Sequence, residues 1–215
     1  MKIRLDEQTH RYFVDAEDGF GEQEKRSWSA ISHDVGLAED LSAVPPHHLA
    51  NARARGSQID DAAALIIEGR FASIHEEILS DEARPYVEAF REFWMNDAAR
   101  LREPQLVQTP LYCRELDFCC TPDWHDGFWV NDLKATSKCS RTWGLQTAAQ
   151  LLAHGFMLGE RRIVWLRPKL RRHYEIHIGS DSNRAIFSPL DFDVVKAACQ
   201  GDYAADCIKR WKDGG

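Results

Sequence analysis

The residue types best suited to chemistry gather in one short stretch. Thr121-Pro122-Asp123 is followed by Asp132-Leu133-Lys134, so Asp123 stands nine residues before Asp132. Of the eight lysines, Lys134 alone has an acidic residue two positions before it. Side chains alternate between the faces of a strand, so Asp132 and Lys134 share one face and Leu133 takes the other. Asp123, at the end of a preceding paired strand, can lie beside the end of this one. Carboxylate oxygens in such a group suit Mg²⁺ or Mn²⁺. The cation polarises a phosphate ester and activates a water, and an ammonium neutralises charge that develops on the phosphorane oxygens. The chemistry is metal-assisted phosphodiester hydrolysis. An acid-x-Lys triplet alone is a weak signal, and its alternative is an Asp–Lys ladder on an exposed edge strand. Lys134 is expected in a solvated cleft, where a lysine contributes little to core packing.

Short segments rich in β-branched and aromatic residues position this group. Residues 105–114, 116–122 and 127–134 read as three strands with hairpin-type connections at 114–117 and 123–127. A helix at about 141–158 follows, stopped by Gly159, and then strands at 161–167 and 172–178 around a turn at Pro168-Lys169. Before the strands, Pro45-Pro46 opens a helix from about His47 to Glu68. A second helix runs from Ser80, as N-cap, to Leu101, with Tyr86, Phe90, Phe93 and Trp94 on one apolar face. Residues 1–32 read as a hairpin-like appendage and 188–212 as a C-terminal helix. The order predicts a single α/β domain, a mixed central β-sheet flanked by helices.

Composition narrows the class. The 215 residues, 44% hydrophobic with seven Trp, suit one domain with a substantial core and exclude a disordered chain. There is no membrane-length apolar run, and no apolar stretch follows the basic N-terminal residues. A cytoplasmic location is therefore expected. Six cysteines, at 113, 119, 120, 139, 199 and 207, form no C-x-x-C pair and read as reduced thiols. A net charge of −7 argues against coating nucleic acid by bulk charge. It leaves room for a local basic groove built from Arg53 and Arg55, from Lys134, Lys138 and Arg141, or from Arg161 to Arg172.

Four ordered blocks sharpen this reading: R-G-S-Q-I-D at 55–60, C-T-P-D at 120–123, V-N-D-L-K-A-T at 130–136 and W-G-L-Q-T-A-A-Q at 143–150. With H-R-Y-F-V-D at 10–15 and S-W-S-A-I at 27–31, most of the chain resembles the PD-(D/E)XK nuclease superfamily, in its RecB-like and phage exonuclease branch. The resemblance implies a restriction-endonuclease-like core and a Mg²⁺- or Mn²⁺-dependent DNA exonuclease of phage or bacterial recombination or repair. It implies metal ligation by Asp123, Asp132 and the Leu133 carbonyl, with Lys134 catalytic and Gln146 supporting the site. Two positions depart from the family pattern. Asp60 stands where relatives carry His, and as an acid it remains a candidate metal ligand. Gln150 stands where they carry Tyr. Arg55, Thr136, Ser137, Lys138 and Arg141 are candidate contacts to the DNA backbone, and Trp143 a candidate stacking partner for a terminal base. No P-loop is present, so a helicase or recombinase partner would supply any unwinding. Alternatives are a structure-selective or restriction-like endonuclease and an inactive DNA-binding module of the same fold.

Overall fold

A computed structural model describes the chain except for residues 17, 18, 20, 71–78, 98–102, 137, 156–159, 169–171, 178–185, 201–203 and 215. Among the described residues, two five-stranded sheets are flanked by helices. The first has the order β1 (Ile3–Asp6), β2 (Arg11–Asp15), β3 (Glu22–Ser27), β6 (Phe118–Cys120), β5 (Leu111–Cys113). The second has the order β10 (Arg172–His177), β9 (Glu160–Arg167), β8 (Trp129–Lys134), β7 (Trp124–His125), β4 (Leu106–Val107). The architecture is a mixed α/β one: β3 and β6 are parallel, as are β8 and β9, and the other pairs are antiparallel.

The expected single sheet is divided in two because two of its strands bend. The expected strand 105–114 forms β4 and β5; the expected strand 116–122 forms β6, and β7 occupies the 123–127 stretch expected as a hairpin connection, because the chain continues past Pro122 into the second sheet. Each break contains a proline, Pro110 or Pro122, which has no N–H for a ladder. Gln108 turns the first segment with φ of 42°, and its backbone N–H holds the Asp123 carbonyl at 2.9 Å. Both segments therefore change sheets side by side, and Asp123 lies at the corner.

Helices cover both faces. On one side stand α2 (Pro46–Ile67) and α3 (Arg84–Asp97). Ile59, Ile66, Phe90 and Phe93 pack there against Trp124, Leu133 and Val164. On the other stand α4 (Thr142–His154), α5 (Asp191–Gln200) and α6 (Ala204–Lys212). Leu145, Ala148, Val194 and Trp211 share a core there with Phe118, Trp28 and Ile31. The α4 helix links the parallel strands β8 and β9, the connection that parallel pairing requires. Gly144 lets α4 approach the loop before α5, since a Cβ there would lie 2.2 Å from the Ile186 carbonyl oxygen.

Several boundaries differ from the sequence reading. Residues 1–32 are integrated into the fold, because β3 pairs with β6 and Trp28 and Ile31 join the core. Residues 28–34 form helix α1 (Trp28–Asp34), with Ser27 Oγ accepting the Ala30 N–H at 3.1 Å. Ser80 caps a turn ahead of α3, accepting the Ala83 N–H at 3.2 Å. The α4 helix ends one turn early at Gly155, whose φ of 77° suits glycine. Gly159 and Lys169, expected at chain reversals, lie outside the described residues, as do 98–101 of the second expected helix and 178 of the last expected strand. The C-terminal segment forms two helices rather than one. No helix among the described residues is long and apolar enough to cross a membrane.

Candidate active site

Strand alternation separates Leu133 from its neighbours. Leu133 faces the α2–α3 core, while Lys134 contacts α4. Asp132 is 1% exposed. Lys134 Nζ lies 2.6 Å from Asp132 Oδ2 and donates to Gln146 Oε1 at 2.8 Å. One turn further along α4, Gln150 Nε2 donates to Asp132 Oδ1 at 3.3 Å. Asp123, at the strand corner, accepts the Leu133 N–H through Oδ2 at 2.5 Å. Asp60 comes from α2, where Gln108 Nε2 holds its carbonyl at 3.0 Å. Asp61, the next residue on that helix, is exposed.

The electrostatics show three carboxylates sharing one ammonium. Burial pushes Asp60 up to about 7, Asp132 and Asp61 add to the shift, and Lys134 opposes it. Asp123 is pushed well above the usual carboxylate range by burial, then by Asp132 and Asp60; Lys134 and the Leu133 N–H oppose that. For Lys134, burial favours the neutral amine, but Asp132, Asp123 and Asp60 outweigh it and raise the pKa. Excess negative charge of this kind is relieved by a cation. Asp132 Oδ2 is buried and accepts no well-aligned hydrogen bond, although it forms the ion pair with Lys134. The donors are all oxygens, the set a divalent hard cation takes. Among the described residues, no three His, Cys, Asp or Glu side chains stand as a ready-formed metal shell.

A cleft of about 520 Å³ opens beside Lys134 and Gln146, between α1 and the start of α4. Thr136 lines it, and its hydroxyl donates to the Lys138 carbonyl at 2.9 Å. Lys138 is exposed, and Ser137 lies outside the described residues. Other candidate DNA contacts have partners within the protein. Arg55 pairs with Glu82 at 3.3 Å and lies over the Tyr86 ring. Arg141 lies over Trp211 at 4.6 Å. Trp143 also lines the cleft but is 5% exposed, edge-on to Trp165, so it has no open ring face for a base. Arg161 and Arg162 form no basic groove: they are 3% and 4% exposed. Arg161 bonds Asp191 and the Gly144 carbonyl, and Arg162 bonds Asn131 and Asp126.

Two polar residues at the site were not recognised from sequence as part of it. Gln150 reads as a departure from the family pattern, yet its spacing of four from Gln146 places both on one helical face. Gln108 ties α2 to the Asp123 corner, and nothing in its local sequence signals that role. Neither a protein-family model nor a curated protein matches this chain.

Proposed function

We propose that this chain is a divalent-metal-dependent deoxyribonuclease that hydrolyses DNA from its ends. The observation that carries the reading is the Lys134 ammonium held between Asp132 and Gln146, 2.6 and 2.8 Å away, beside two further acids with raised pKa values. A surface Asp–Lys ladder would give neither the burial of Asp132 nor these shifts.

Mg²⁺ or Mn²⁺ would be held by Asp123, Asp132, Asp60 and the Leu133 carbonyl, and when bound supplies Lewis-acid polarisation of the phosphate and an activated water. The chain's own groups perform the remaining work. Lys134 presents its ammonium at the cleft floor, where it meets charge that develops on the phosphate in the transition state. Asp132 and Gln146 hold Nζ in place, and Gln150 holds the Asp132 carboxylate. Thr136 and Lys138, exposed after β8, would meet the phosphate backbone.

The test is incubation of end-labelled linear DNA and closed circular DNA with Mg²⁺, Mn²⁺ or EDTA. Linear DNA should be shortened from its ends, circles should stay intact, and EDTA should stop the reaction. Cut circles would mean an endonuclease. Binding of DNA with no cleavage under any divalent metal would mean an inactive module.

A further inference from the structure

The H-R-Y-F-V-D block at 10–15 has no part in the hydrolytic reading. One of its residues nevertheless reaches the candidate site. Tyr12, on β2, shares a core cluster with Val14 and with Cys119 of β6, and it is 8% exposed. Its side chain passes β3, which lies between β2 and β6 in the first sheet, and its hydroxyl is hydrogen-bonded to Thr121 Oγ1 at 2.9 Å. Burial raises the pKa of the phenol, with the Thr121 contact opposing, so the hydroxyl keeps its proton. Thr121 stands two residues before Asp123, and Pro122 between them is buried. Proline fixes its own φ and confines the preceding residue to extended backbone, so this step of the chain transmits position with little slack.

Asp123 requires such support. Burial acts against its ionised form, and the Asp132 and Asp60 carboxylates repel it from the place where it would join them. The Leu133 N–H holds Oδ2 and the Gln108 N–H holds the Asp123 carbonyl, and both donors come from the side of the second sheet. Tyr12 adds a hold from the first sheet. We propose that Tyr12 is a positioning residue for Asp123: its hydroxyl fixes Thr121, and the stiff Thr121-Pro122 step fixes where the carboxylate stands. The inference rests on the nuclease reading for the metal that Asp123 would hold. It gives the N-terminal strands a role in the site as well as in the core.

The intact chain is titrated with Mg²⁺ by calorimetry, without DNA and at one fixed pH. Tyr12→Phe should weaken binding roughly three- to tenfold, the worth of one neutral hydrogen bond. Thr121→Val should do the same, Thr121→Ser should restore affinity, and the Tyr12→Phe, Thr121→Val double variant should be no weaker than either single one. The control is Tyr112→Phe, which loses a hydroxyl bond to Asp117 within the same core cluster. It should lower the melting temperature comparably and leave Mg²⁺ affinity at the wild-type value. In cleavage, Tyr12→Phe should reduce kcat by a similar factor and leave KM for DNA unchanged. If Tyr12→Phe binds Mg²⁺ like the wild type, or loses affinity only as Tyr112→Phe does, the positioning role is overturned and the nuclease reading survives. A rise in KM alone would also overturn it, making Tyr12 a substrate contact from the cleft wall. A wild-type chain that binds neither Mg²⁺ nor Mn²⁺ would overturn both.

Discussion

Replacing Lys134 by Ala removes the ammonium 2.6 Å from Asp132 Oδ2 and leaves that carboxylate 1% exposed beside two other acids. Breaking a fully buried ion pair on one side costs about 3–5 kcal/mol. Lys134 retains 16% side-chain exposure, so water screens part of the charge and about 2–3 kcal/mol is the better figure. In a chain of this size each kcal/mol moves Tm by about 2–4 °C, so melting should fall by roughly 5–10 °C in EDTA. Removing both charges, in Asp132→Asn with Lys134→Ala, should recover much of the loss, because no buried charge is then stranded. Thermal melts of the wild type, the two single variants and the double variant read the coupling directly. Below the melting range, cleavage by Lys134→Ala should drop by about a hundredfold or more, whereas binding should weaken only modestly. A Lys134→Ala protein that melts with the wild type would refute the buried-pair argument. Loss of binding and cleavage in equal proportion would reduce Lys134 to a phosphate anchor.

Gln150→Leu removes a donor to Asp132 but also removes a buried Oε1 that has no hydrogen-bond partner, so opposing effects of about 1–3 kcal/mol largely offset in a melt. The kcat should nevertheless fall about tenfold, as the Asp132 carboxylate loses its orientation; unchanged turnover would remove Gln150 from the site. Asp60, pushed up to about 7, must release its proton to bind a cation, so Mg²⁺ affinity should rise as pH increases through about 7. Calorimetry in buffers of different ionisation enthalpy counts the protons released, and Asp60→Asn should lower that count, with Asp123 still contributing, and weaken binding. His125 tests the fold independently of the site. It is fully buried, stacks on His154 at 3.9 Å and accepts the Gly127 N–H through Nδ1; burial, and then His154, lower its pKa from 6.5 to about 4. The unfolded chain therefore binds more protons between those values. The neutral ring's stabilisation is complete above 6.5 and is lost as pH falls towards 4, by on the order of 3 kcal/mol. Denaturation curves across that window should flatten in His125→Asn, which keeps an acceptor near Nδ1; an imidazole titrating near 6.5 by NMR would contradict this.

The parts of the site legible in sequence follow from local periodicity. The strand period of two put Asp132 and Lys134 on one face, and Lys134 contacts Asp132 as that predicts. The helical period likewise explains why Gln146 and Gln150 both face β8. What escaped local reading depends on partners distant in the chain. Arg161 and Arg162 look like surface cations until Asp191 and Asp126, 30 and 36 residues away, neutralise them inside the protein. Lys134 lines a cleft as expected, but its side chain is only 16% exposed, because Asp132 and Gln146 of α4 hold its ammonium. The turn residues at Thr121–Asp123 read as the start of a hairpin connection, whereas in the structure the chain continues through them into β7. That Gln108–Pro110 bends at the same place became clear only once the two segments were paired.

These burials bear on how so acidic a chain can handle DNA. With 34 acids against 27 lysines and arginines, it cannot hold a duplex through a broad positive surface. Arg161 and Arg162 are sequestered, and Arg55 and Arg141 contact groups of the protein itself. On the proposed nuclease reading, binding would rest on few phosphates, and its dependence on salt should be shallow, since the slope counts the phosphates neutralised; a steep salt dependence would show a basic surface that these burials deny it.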